Sequence, residues 1–96
     1  MPVYIIAEHD VHDQQTYNKA IPIAAAAIKA YKGRYLVNGR GATELVEGTA
    51  PPKRIVVLEF PTMEAAKQWY ASEEYREGKA IRHSSTTSRI ILAEGC

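Results

Sequence analysis

The chain has one cysteine among its 96 residues, Cys96, so no internal disulfide can form. It stands at the last position, where a solvent-exposed tail thiol is the expectation rather than a redox centre. An excess of charge of one sign is also missing: 12 Lys and Arg stand against 11 Asp and Glu, with no basic run that could form a stripe. Nucleic acid is therefore not an expected partner. The most apolar run, residues 21–28, is far too short to cross a bilayer, so a membrane is not expected either. The first residues lack a basic segment and acidic residues follow at once, which is unlike a secretory signal, so a cytoplasmic protein is expected. There is no dinucleotide fingerprint after Gly39 and Gly41, no nucleophile elbow among Ser84, Ser85, Thr86 and Thr87, and no cysteine-rich metal pattern. No cofactor is implied, and no haem ligand can be named. What remains fits one domain over residues 1–96, short enough to gain stability from association.

Hydrophobic spacing then orders the chain. Residues 3–8 (VYIIAE) alternate Val3, Ile5 and Ala7 against Tyr4, Ile6 and Glu8, a strand apolar on both faces. A polar turn over residues 9–13 follows, with Asp13 as the N-cap of a helix over 14–31. Tyr17, Ile21, Ala24, Ile28 and Tyr31 make its apolar stripe, Pro22 predicts a kink or break near 18–21, and Gly33 is expected to terminate it. Residues 34–38 (RYLVN) predict a second strand with Tyr35 and Val37 on one face. Gly39 and Gly41 permit a bend, residues 43–47 could extend the strand as an edge, and residues 48–53 read as a loop. Residues 54–60 (RIVVLEF) carry the strongest strand signal and belong in the middle of a sheet. Pro61 stops that strand, and Thr62 caps a helix with Met63, Ala66 and Tyr70 on one face. Ser72 caps a third helix over about 73–83, with Tyr75, Gly78 and Ile81 inward. A polar link over 84–87 leads to a last strand over 88–94 (SRIILAE).

The order β-α-β-β-α-α-β predicts an α+β fold of the ferredoxin-like type, a four-stranded antiparallel sheet with helices on one face. Strands apolar on both sides would leave the other face bare, and a homodimer packing two sheets face to face is the simplest cover.

The segments VYIIAE, GRYLVNG, RIVVLEFPTMEAAKQWYASEEYREGKAIR and RIILAEG together resemble the domain of unknown function 1330 family over nearly the whole chain. The resemblance implies a dimeric α+β-barrel protein. It places the chain among a superfamily that includes cofactor-free monooxygenases, lactone isomerases and haem-dependent enzymes. One departure is Arg40, where a small residue is expected.

Several side chains are candidates for chemistry. Glu59 lies in an apolar strand beside Leu58 and Phe60, where a carboxylate must be paired or put to use. It is the candidate base or substrate anchor, with an ion pair to Arg34, Arg82 or Arg89, or simple exposure at the strand end, as the plain alternative. Tyr35, Trp69 and Tyr75 could wall a small-molecule pocket, or could simply be core together with Phe60 and Tyr70. Arg40 and Arg82 could hold an anionic group or be solvated. His9, Asp10, His12 and Asp13 are of metal-ligand type, but their spacing in a turn is not a strong signature, and capping and solvent contact are expected instead. The expected function is binding of a small organic molecule, with cofactor-independent monooxygenase- or isomerase-like chemistry. The alternative is a non-catalytic homodimer whose aromatic residues fill the space between helices and sheet.

Overall fold

The computed structural model describes residues 1–50 and 54–96. Seven elements follow in order: β1 (Val3–Val11), α1 (Gln14–Ala30), β2 (Arg34–Val37), β3 (Ile55–Phe60), α2 (Met63–Tyr70), α3 (Glu73–Ser85) and β4 (Thr86–Glu94). The strands form one antiparallel sheet in the order β2-β3-β1-β4, the ferredoxin-like arrangement. Among the described residues no helix is long and apolar enough to cross a membrane.

The period of two decides which residues meet the helices. Val3, Ile5 and Ala7 of β1 and Val56, Leu58 and Phe60 of β3 are buried on the inner face. They pack with Ala27 and Ile28 of α1, Ala66 and Trp69 of α2, and Tyr75 of α3. The outer face takes the alternate residues. One row runs across all four strands: Val37 opposite Val57, Val57 opposite Ile6, Ile6 opposite Ile91. It is flanked by a row of Arg34, Glu59, Tyr4 and Ala93, and by one of Ile55, Glu8 and Arg89. The outer face thus has an apolar centre between two charged margins.

The helix starts follow their caps. Asp13 Oδ1 accepts from Thr16 N at 3.2 Å, Thr62 Oγ1 from Ala65 N at 3.0 Å, and Ser72 Oγ from Tyr75 N at 3.2 Å. Of the kink or break expected near 18–21, the break does not occur: helix α1 runs unbroken from Gln14 to Ala30 with the exposed Pro22 inside it. Its end also differs. The left-handed residue is Lys32 (φ 66°), and Gly33 is needed for space instead, since a Cβ there would lie 2.6 Å from the Phe60 ring.

Three further differences follow from pairing. β1 reaches Val11 and β4 begins at Thr86 because those two residues are partners, so the expected polar link at 84–87 is taken up by the end of α3 and the start of β4. A bulge between Tyr35 and Val37 puts Tyr35 opposite Leu58 and Val37 opposite Val57. The two residues therefore do not share a face. Residues 43–47 form no strand; they are exposed and have no neighbour to pair with, and Val46 is 93% exposed. Of the loop expected over 48–53, residues 51–53 lie outside the described residues.

Candidate functional site

Helices α1 and α3 do not close fully on the sheet. A cavity of about 250 Å³ lies between them, lined on the sheet side by Ile5, Ala7, His9, Val56, Leu58 and Ile90. Small residues on α1 make room for it: Ala20, Ala24 and Ala25 line the wall where larger side chains would fill it. Gly78 of α3 also lines it, and a Cβ there would come within 3.0 Å of Ile23 on α1, so the close crossing of the two helices depends on that glycine.

Tyr35 of β2, Arg40 just after it, Trp69 of α2, and Tyr75 and Arg82 of α3 all line this cavity. Glu59 does not. It belongs to the outer set of β3, and its Oε1 accepts from Arg34 Nε at 2.6 Å. The inward positions of β3 are Val56, Leu58 and Phe60, so alternation carries Glu59 to the opposite side of the sheet from the cavity.

Two basic residues on the wall have no counterpart among the sequence candidates for a pocket. One is Arg54, immediately before β3. The other is His9, expected in a polar turn but held inside β1 and 5% exposed. Continuing the alternation of Val3, Ile5 and Ala7 by one step would have placed His9 inward.

The hydrogen bonds fix the His9 tautomer. Thr86 Oγ1 donates its one proton to the Arg82 carbonyl at 2.7 Å. The Ser88 hydroxyl, 2.7 Å from Thr86 Oγ1, must then be the donor in that pair. Ser88 Oγ is left to accept, so His9 Nδ1, 2.6 Å away, carries a proton. In the neutral ring Nε2 is then a bare acceptor. The neutral ring is strongly favoured: burial, and then the charges of Arg82 and Arg54, push the His9 pKa from 6.5 down to about 4.

The cations of the wall are poorly matched. Arg82 is 5% exposed, yet its Nε donates to the Tyr75 hydroxyl at 3.1 Å and its Nη2 lies 3.3 Å from His83 Nε2; both are neutral groups. Burial lowers the His83 pKa, which keeps that ring neutral. Arg54 donates from Nη2 to the Asn38 carbonyl at 3.3 Å and sits 5.0 Å from the Tyr17 ring centroid, while its Nε is buried without a partner. Trp69 Nε1 is likewise buried and unpaired, its ring stacked on Tyr75 at 4.4 Å. Among the described residues no Asp or Glu lines the cavity. Burial raises the pKa of the Tyr17, Tyr35 and Tyr75 phenols, so all three are hydrogen-bonding groups and not anions at neutral pH.

A split βαβ sheet with a cavity under its helices defines an α+β protein of ferredoxin-like architecture. Similar folds occur in a protein of unknown function from Rhodopseudomonas palustris (TM-score 0.83, 13% identity, covering 99% of this chain and 82% of that one) and in a dimeric ferredoxin-like protein of unknown function from Jannaschia sp. CCS1 (TM-score 0.75, 10% identity, 99% and 100% covered). SnoaB, a cofactor-independent oxygenase from Streptomyces nogalater, is also similar (TM-score 0.65, 13% identity, 99% and 93% covered). No curated protein matches the chain. The family itself is shown by sequence: the Domain of unknown function (DUF1330) profile matches residues 2–96, and the chain belongs to that family.

Proposed function

We propose that the chain is a homodimer in which each protomer takes one small, partly apolar organic molecule into the helix–sheet cavity and performs cofactor-independent acid–base chemistry on it. The cavity carries this reading. An aromatic-filled core would leave no space, whereas about 250 Å³ stays open beside a histidine with a bare nitrogen. That volume is below the roughly 300–1,000 Å³ usual for drug-sized ligands, which argues for a small molecule.

Tyr35, Arg40, Trp69, Tyr75 and Arg82 are the proposed binding residues. His9, rather than Glu59, is the proposed base: a C–H or O–H bond of the substrate breaks, its electron pair stays on the substrate, and the proton goes to Nε2. Returned at another atom, that proton completes an isomerisation; with dioxygen as co-substrate, the same anion would enter oxygenase-like chemistry. His9 by itself is a weak base. Negative charge forming beside Arg54 and Arg82 offsets their field and raises its proton affinity. The low starting affinity also favours the second reading, a binding homodimer without turnover. Glu59 is assigned to the outer face, where it and Arg34 would flank the apolar row of a dimer interface. The exposed Ile91 and Val37 in that row, and the dimeric description of the Jannaschia protein, support self-association.

Two-dimensional NMR with a panel of small aromatic and alicyclic compounds tests the site. Binding in the cavity shifts the Trp69 indole N–H and the amides of Ala24, Ala25 and Gly78 together. Shifts confined to other surfaces, or none, would remove the proposal. A candidate substrate turned over by the wild type and bound but not turned over by His9→Gln supports catalysis over binding alone.

A further inference from the structure

The cavity wall is chemically lopsided. It carries three guanidinium groups, Arg40, Arg54 and Arg82, and among the described residues no carboxylate. The ion pairs among the described residues are Arg34–Glu59 and Arg76–Glu73, and neither involves the cavity cations. Isolating a buried guanidinium from any anion costs several kcal/mol, on the order expected for one uncompensated buried ion. Folded proteins normally relieve that cost with a partner. Here the first neighbours of Arg82 are a phenol and a neutral imidazole, and Arg54 has an aromatic face, a carbonyl and a buried Nε with no acceptor.

We propose that the molecule accepted by this cavity is a small organic acid, with its carboxylate between Arg54 and Arg82 and its apolar body against α1. The inference rests on the reading of the cavity as a ligand site and narrows it to one chemical class. A carboxylate supplies the acceptor that the Arg54 Nε lacks and the opposite charge that Arg82 lacks, and its plane suits two guanidinium forks. The remaining wall specifies the rest of the molecule. Ile5, Leu58, Ala24 and Ile28 offer no polar partner, so a charged group placed against that part of the wall has nothing to meet. That argues for an anionic end with an apolar body, and against inorganic phosphate, which has no apolar part. Gly39 supports the arrangement from below. It has φ +85°, and a Cβ there would stand 2.7 Å from Arg54 Nε, so the glycine leaves space for the arginine side chain. Burial first, and then the charges of Arg82 and Arg54, hold His9 neutral, and the two later causes are consistent with a positive potential beside it.

Benzoate, its neutral isostere benzamide, and inorganic phosphate separate the possibilities, with binding read from the Trp69 indole N–H shift in the full chain. Benzoate should bind at least tenfold more tightly than benzamide, and phosphate should cause no shift. Arg54→Gln, at a half-buried position, should weaken benzoate at least tenfold and benzamide far less. Equal affinity for benzoate and benzamide, or an Arg54→Gln variant that binds benzoate as the wild type does, would overturn the organic-acid inference while leaving the cavity as a ligand site. Phosphate binding as tightly as benzoate would overturn the apolar-body requirement. No indole shift with any of the three would overturn both readings. Circular dichroism of the variant confirms that a lost shift is not lost folding, and Arg54→Lys, which keeps the charge without the fork, should recover part of the affinity.

Discussion

The buried histidine makes the stability of the protein depend on pH in a way that can be worked out in advance. The pKa of His9 falls from 6.5 to about 4 on folding, through burial first and then the charges of Arg82 and Arg54. Between those values the unfolded chain binds more protons than the folded one, so stability rises with pH across the window. The contribution is complete above about pH 6.5 and is lost as pH falls toward 4. At 1.36 kcal/mol per pKa unit, the full span is an upper limit of about 3 kcal/mol, of which about 2 kcal/mol falls between pH 7 and 5. Water at the cavity mouth screens the ring, and about 1 kcal/mol over that interval is the better expectation. Urea denaturation of the wild type and of His9→Gln at pH 7 and pH 5 measures it. His83, whose pKa is also lowered, contributes equally to both proteins and cancels in the difference. The wild type should lose about 1 kcal/mol more than the variant on acidification. Identical losses would refute the assignment of a buried, neutral His9.

Other expectations are independent of this one. Gly33→Ala places a methyl 2.6 Å from the Phe60 ring and should cost about 1–3 kcal/mol in denaturant unfolding, since neither α1 nor the ring can retreat from a packed core. Ile91→Asp puts a charge at the end of the apolar outer row and should convert a dimer to a monomer in sedimentation velocity without changing the circular dichroism spectrum. Disrupting the Arg34–Glu59 pair should show a coupling of only about 0.2–1 kcal/mol in a double-mutant cycle, because Arg34 is largely exposed. Glu59→Gln should leave cavity binding intact. Saturation with benzoate should raise the His9 pKa, read from its ring protons by NMR, because an anion between Arg54 and Arg82 cancels part of their field.

The sequence carried most of the architecture because the signals were local. Asp13, Thr62 and Ser72 mark helix starts by hydrogen bonds that reach only three residues, and the alternation in residues 54–60 marks the central strand by itself. Features that depend on partners were hidden. The extension of β1 to Val11 requires β4 opposite it, and the bulge that parts Tyr35 from Val37 requires β3. The side of the sheet that faces the helices also cannot be read from a strand apolar on both faces, which is why Glu59 looked like a site residue. Arg40, Trp69, Tyr75 and Arg82 were readable as candidates from residue type alone. The aromatic residues were readable as one wall, whereas the joining of Arg40 and Arg82 to it depends on how β2 and α3 pack in the fold. His9 was obscured by its polar neighbours in the turn-like run 9–13, although it continues the inward alternation of β1.

Native mass spectrometry of the freshly purified protein tests the central claim most directly, because one spectrum reports both association and occupancy. A dimer carrying up to two copies of one small organic molecule is expected, with the added mass absent from an Ala24→Phe variant whose side chain fills the cavity. A monomer, or an added mass that persists undiminished in the folded Ala24→Phe variant, would contradict it.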